Sequence, residues 1–262
     1  MTLDWLAADL RAAGITVREV DGWQTRARPG PFDPLGVLIH DTGTPNRTAD
    51  APSLQVCITG RRDLPGPLCQ LLIARSADVW LIAGGRCNHA GEGALPHAAI
   101  LPNTGNTLLL GIELENTGDG TEPWPARQVE VAQAATAVIL RRLGLQSYRV
   151  WGHREYALPP GRKPDPVGID MPTFRQAVAA WRPPAPPTPP KDDDMPSLLQ
   201  LSTALATLDE VYTGHRGVPP TPAERIDWRK DFETKLRAGT ELGPTFAWIA
   251  DTLDAEKVTA KP

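Results

Sequence analysis

The chain has 262 residues, 41% of them hydrophobic, and a formal net charge of −4. That is enough for one well-buried domain and a smaller module, and no run reaches the roughly 18 apolar residues a membrane-spanning helix needs. Residues 191–262 hold 9 Lys/Arg against 13 Asp/Glu, leaving 18 against 18 in residues 1–190, so neither part has the basic excess that nucleic-acid binding requires.

The opening Met1-Thr2-Leu3-Asp4-Trp5-Leu6 has an acid where a secretory leader carries basic residues, and no long apolar run follows. The expectation is a protein made and kept in the cytoplasm unless something else releases it. Cys57, Cys69 and Cys87 are odd in number and form no Cys-x-x-Cys pair, so they read as small buried apolar residues.

In chain order, Trp5, Leu6, Leu10 and Ala13 recur at helical spacing, Gly14 can close that helix, and Ile15 to Val20 alternates like a strand. After a loop from Arg26 to Pro34, Leu35-Gly36-Val37-Leu38-Ile39 has the continuous apolar pattern of a strand covered on both faces. His40 comes at its end. Leu68 to Ala74 and Val79 to Ala83 suit a hairpin across Arg75-Ser76-Ala77-Asp78. Gly84 to Asn106 has little periodicity and reads as mostly loop.

Leu108 to Leu114 is another central strand. From Pro125, which suits a first helical turn, Val129, Ala132, Thr136, Ile139, Leu140 and Leu143 trace one helical face, and Gly144 stands where a helix stops. Tyr148 to Trp151 forms a short strand leading to His153, and Thr173 to Trp181 a last helix. Helices alternate with strands, so the fold class is α/β, a central mixed β-sheet flanked by helices.

Pro183 to Pro190, six prolines in eight residues, can form neither helix nor sheet ladder and makes a stiff spacer. The expected division is a catalytic domain over 1–182, a proline-rich and charged linker over 183–196, and a small all-α module over 197–262. Helices there are suggested by Leu198, Leu199, Leu201, Leu205 and Leu208, by Trp228, Phe232 and Leu236, and by Phe246, Ile249 and Leu253. Such a module could serve self-association.

The chemistry gathers in three places. His40 and His153 each follow an apolar strand, and Asp165 lies in the proline-bounded turn Gly161-Arg162-Lys163-Pro164-Asp165-Pro166. Zinc accepts nitrogen from His and oxygen from Asp, and a catalytic site keeps three protein ligands and one open position. Glu113 sits in a central apolar strand, where an acid is costly to bury without a purpose. Strand alternation puts it on the face shared by Gly111, whose smallness would leave room for substrate, and by Glu115, the rival for the role of base.

With those residues in place, the chain resembles the zinc-dependent N-acetylmuramoyl-L-alanine amidases, which share their fold with peptidoglycan-recognition proteins, and especially the endolysins of phages that infect actinobacteria. The matching segments are Gly36 to His40, Asp63-Leu64-Pro65-Gly66-Pro67, Asn88-His89-Ala90-Gly91, Gly111 to Gly118, Gly152-His153-Arg154-Glu155 and Pro160 to Pro166.

The resemblance implies that His40, His153 and Asp165 bind one Zn2+, that Glu113 is the general base and that Lys163 stabilises the tetrahedral intermediate. His89, Asn88, Glu115 and Asn116 would line the substrate groove. The implied reaction cuts the amide between N-acetylmuramic acid and L-alanine of the peptidoglycan stem peptide. An endolysin would meet that wall only after membrane permeabilisation. The tyrosine that some relatives carry near the metal between the first two strands has no counterpart, the chain's three being Tyr148, Tyr156 and Tyr212. On the same resemblance the helical module over 197–262 could serve cell-wall targeting. His97 reads as a surface or packing residue, and His215 lies in the other module.

Two alternatives use the same residues differently. A peptidoglycan-binding protein without activity would hold glycopeptide with no metal, and a zinc peptidase would cut within the stem peptide.

Overall fold

The computed structural model describes residues 2–184; the expected helical module and most of the linker before it lie outside the described residues. In chain order the elements are α1 (Leu6–Ala12), β1 (Val17–Glu19), β2 (Val37–Asp41), α2 (Leu54–Thr59), β3 (Gly60–Arg61), β4 (Leu64–Pro65), β5 (Leu71–Ile73) and β6 (Val79–Leu81). There follow α3 (Gly105–Leu108), β7 (Leu110–Leu114), α4 (Ala126–Arg142), β8 (Val150–Gly152), α5 (His153–Tyr156) and α6 (Met171–Ala180). Among the described residues no helix is long and apolar enough to cross a membrane.

Six strands form one mixed sheet in the order β1-β6-β5-β7-β2-β8, in which only β5 and β6 run antiparallel. The parallel centre explains the continuous apolar runs, since β2 and β7 are covered on both faces. One face is predominantly apolar, with Gln128 and Thr136 of α4 as buried polar exceptions. Val37 and Ile39 of β2, Leu110, Ile112 and Leu114 of β7, and Leu71 and Ile73 of β5 pack there against Leu6 and Leu10 of α1, Val131, Ala135 and Ile139 of α4, and Phe174 and Val178 of α6.

The helix ends follow local chemistry. Pro125 stands just before α4, where a backbone N–H would have no acceptor within the helix and its absence costs nothing, and Gly144, with φ of +68°, lies beyond the last turn. Asp170 caps α6 by accepting from the Thr173 amide.

The other face is divided. Leu38, Ala90, Leu95, Ile100, Leu109, Trp151 and Tyr156 make one small cluster, and Cys57, Cys69, Leu72 and Ile82 another. The three cysteines are buried and free, as read from sequence. The segment from 84 to 106, expected as loop, holds a short 3-10 turn over Pro96–Ala98, and a turn of helix, α3, begins at Gly105, so β7 starts at Leu110 rather than Leu108. β8 is likewise shorter than expected, because Ser147–Arg149 form a 3-10 turn before it.

Candidate metal centre and active site

The divided face carries the polar cluster. In the parallel register of β2 with β7, Leu38 pairs with Gly111 and His40 with Glu113, so side chains two residues apart share a face and neighbouring strands bring His40 beside Glu113. β8 ends at Gly152, and His153 opens the one-turn helix α5. Glu155 holds that junction by accepting from the Gly152 amide at 2.8 Å, while Arg175 of α6 grips both its oxygens at 2.9 and 3.0 Å. The turn carrying Asp165 is fastened by Arg154, whose backbone amide donates to the Asp165 carbonyl at 2.8 Å and whose guanidinium donates to the Pro166 and Ile169 carbonyls.

These supports bring three donor atoms together. His40 Nδ1 and His153 Nδ1 are 3.0 Å apart, and Asp165 Oδ2 is 3.3 Å from the first and 3.0 Å from the second. The three residues are 2%, 3% and 8% exposed. Zinc bonds of about 2.0–2.1 Å place neighbouring donors of a tetrahedron roughly 3.3 Å apart, so the trio has the spacing of three corners.

The protons agree with that fit. His153 Nε2 lies 2.9 Å from the Ala90 carbonyl, which only accepts, so that nitrogen carries the proton and Nδ1 presents a lone pair. Burial first, and then the neighbouring His153, push His40 down to about 4, with Lys163 adding a smaller push and Asp165 opposing them. Burial works against the Asp165 charge, but the two imidazoles outweigh it and hold that carboxyl below its ordinary value. Among the described residues this is the one His/Cys/Asp/Glu group with the spacing of a metal site, and its donor set suits zinc.

Glu113 is half-buried, and its Oε2 is fully buried with no hydrogen-bond partner. Burial, followed by Cys57 and the carboxylates of Asp165, Asp41 and Glu115, raises its pKa well above the ordinary carboxylate range. A carboxyl raised in this way takes up a proton more readily than an ordinary one.

Glu115 has a different setting. Its Oε1 takes the hydroxyls of Thr42 and Ser53, each at 2.8 Å, and its Oε2 the Ser53 amide at 3.1 Å. It ties the end of β2 to the start of α2, and its acceptor sites are occupied. Lys163 is half-buried in the turn before Asp165, near enough to His40 for its charge to be felt there.

The residues expected along the groove are dispersed. Asn88 donates from Nδ2 to the Pro65 carbonyl at 2.9 Å, fastening its loop to the small β3–β4 ribbon. Asn116 is 1% exposed, and its Oδ1 receives the Gly118 amide at 3.0 Å, while its Nδ2 is buried without a partner. His89 stands behind His40 and is 9% exposed. Gly111 does not open space for substrate as expected: a Cβ there would lie 2.7 Å from His89 Cγ and Nδ1, so the missing side chain makes room for that ring. His97 is exposed, with its ring centroid 6.3 Å from Trp151.

Arg154 and Glu155 stand in the matching segment Gly152 to Glu155 with no role expected of them, and Arg175 lies outside every matching segment. The available signal was that an irregular turn such as 165–169 has carbonyls with no ladder to satisfy them, which calls for a nearby multi-donor side chain.

No curated protein is significantly similar to this chain. Among solved structures the chain is similar to AmpD, at 21% identity and a TM-score of 0.46 over 62% of this chain and 99% of that one. The endolysin LysCS from Clostridium intestinale is 16% identical, with a TM-score of 0.44 over 62% of this chain and 95% of its own. AmiD from E. coli, solved with the substrate anhydro-N-acetylmuramic acid-L-Ala-D-gamma-Glu-L-Lys, is 21% identical, with a TM-score of 0.43 over 63% of this chain and 65% of its own. The N-acetylmuramoyl-L-alanine amidase family model matches residues 30–168, more than half of the chain and all of the cluster just described, and the protein belongs to that family.

Proposed function

We propose that this protein is a zinc-dependent peptidoglycan amidase that hydrolyses the bond between N-acetylmuramic acid and L-alanine of the stem peptide. The observation that carries the reading is the meeting of His40 Nδ1, His153 Nδ1 and Asp165 Oδ2 within 3.0 to 3.3 Å in a buried place. Lone pairs gathered so closely repel one another unless a metal ion or a proton lies among them, and a zinc ion suits all three donors at once.

Zinc bound there would supply a water with a pKa lowered to about 7 and a Lewis acid for the amide carbonyl. The chain's own groups do the rest. Glu113, beside His40 in the sheet and uncommitted at Oε2, takes the proton of the attacking water and returns it to the departing amine of L-alanine. Lys163 faces the carbonyl oxygen as it becomes negative. Arg154, Glu155 and Arg175 hold β8, α5 and the 165–169 turn in register, so that the two ligands following β8 keep their aim. On the motif resemblance, the role extends to an endolysin acting on actinobacterial walls.

Mass spectrometry of purified walls digested with the full chain tests this. The expected products are stem peptides with a free N-terminal L-alanine and uncut glycan strands. Cleavage within the peptide would show a zinc peptidase, and binding without products an inactive recognition protein.

A further inference from the structure

His89 lies outside the trio, but its hydrogen bonds reach it. Its Nε2 is 3.1 Å from the Leu109 carbonyl, and its Nδ1 is 3.0 Å from His40 Nε2. The Leu109 carbonyl can only accept, so His89 carries its proton on Nε2 and leaves Nδ1 as an acceptor. His40 must then donate from Nε2, and the only nitrogen left with a lone pair is His40 Nδ1, which faces His153 and Asp165.

The two rings meet edge to face, with centroids 5.2 Å apart and planes at 86°. The His89 backbone is anchored too: the side chain of Asn106 accepts its amide at 2.9 Å and that of Ala90 at 2.9 Å.

We propose that His89 is a positioning residue that locks His40 in the Nε2-protonated tautomer through a relay running from the Leu109 carbonyl through His89 to His40. The proposal rests on the reading of His40 as a zinc ligand. A neutral histidine in water can put its proton on either nitrogen, and only one choice leaves a donor atom for the metal. Partners of this kind are typically worth about 10- to 100-fold in metal affinity. An uncharged partner also adds no negative charge behind His40, which keeps the site more electrophilic than a carboxylate-backed histidine would.

Gly111 belongs to the same device. A methyl group there would crowd the His89 ring at 2.7 Å, displacing the relay without removing a donor or acceptor.

The test uses the full chain and its histidine Nδ1/Nε2 assignments, read by long-range 15N–1H NMR on 15N-histidine-labelled, metal-free protein, together with zinc titration. In the wild type, His40 is expected in the Nε2–H form. In His89→Phe, which keeps the ring volume but offers no acceptor, His40 should shift towards Nδ1–H and zinc should bind about 10- to 100-fold more weakly. Gly111→Ala should move both readouts the same way, while His89→Gln, which retains one acceptor and one donor, should recover much of the loss.

The proposal is overturned if His40 is Nδ1-protonated in the wild type. It is equally overturned if His89→Phe keeps both tautomer and zinc affinity, or if it alters KM for wall fragments at unchanged zinc affinity, which would return His89 to the groove. A wild type that takes up no zinc while holding His40 in the Nε2–H form would overturn the metal reading alone, since the relay would stand.

Discussion

The two faces of the sheet are built from the same strands and obey opposite rules. On the α1/α4/α6 face, Ile39, Ile112 and Leu114 are completely buried among other apolar side chains, and each loses water without leaving a polar group unpaired. One residue along, on the other face, His40 and Glu113 are held where burial opposes their charge. The first face stabilises the fold by the hydrophobic effect. The second draws on that stability to keep costly groups in place, as functional sites commonly do. Adjacent residues on one strand should therefore respond to mutation in different observables.

The sharpest contrast is between turnover and stability at Glu113. Glu113→Gln removes the proton acceptor but none of the donor atoms of the trio, so wall hydrolysis should fall by about 100- to 10,000-fold while zinc content is retained. Glu115→Gln should leave turnover per folded molecule within a few-fold, because that carboxylate is occupied by Ser53 and Thr42. A reversal of those two outcomes, read from initial rates on labelled walls, would make Glu115 the base.

Lys163→Ala should cost roughly 100- to 1,000-fold in turnover, the usual loss for one preorganised oxyanion donor, with little change in bound zinc. Equal loss of both would make Lys163 a support of the turn.

On the apolar face the readout changes. Ile112→Ala deletes buried methyl groups next to Glu113 in sequence but directed away from it, and should lower unfolding free energy by about 2–5 kcal/mol. Activity per folded molecule should hardly move. A large loss of turnover without loss of stability would show that the two faces are coupled through β7.

The smallest effect has the opposite sign. In the metal-free protein the folded Glu113 carboxyl keeps its proton to higher pH than the unfolded one. Stability from this group is therefore full below the ordinary carboxylate value and falls as pH rises from there towards the folded value. Glu113→Gln lacks that decline and should be more stable than wild type at neutral pH, with the gain shrinking to nothing near pH 4. Denaturant unfolding at several pH values measures it.

The same contrast explains what the sequence made legible. The apolar face is written in local patterns: β2 is a continuous run, α4 repeats every three or four residues from Pro125, and Gly144 stops it. The trio was also visible, because one member ends the apolar run of β2, another sits just beyond β8 and the third lies between prolines, and the structure brings these three together.

What could not be read depends on side chains delivered from aperiodic segments. The loop that carries His89 has no period to orient it, so its turn towards His40 rather than towards solvent is a tertiary fact. Gly111 looked like vacancy for a ligand because a sequence does not show which ring fills the space. Helix α2 went unseen because it is six residues long and has Cys57 as its only buried residue, too little for a periodic signal.

The most direct test of the account is the zinc content of the full chain, purified without chelator, beside that of Asp165→Ala. The account predicts one zinc per wild-type chain and little in the variant, with its circular dichroism preserved and its wall hydrolysis at background. A folded wild type that cleaves walls without metal, or a variant that keeps its zinc and its activity, would contradict it.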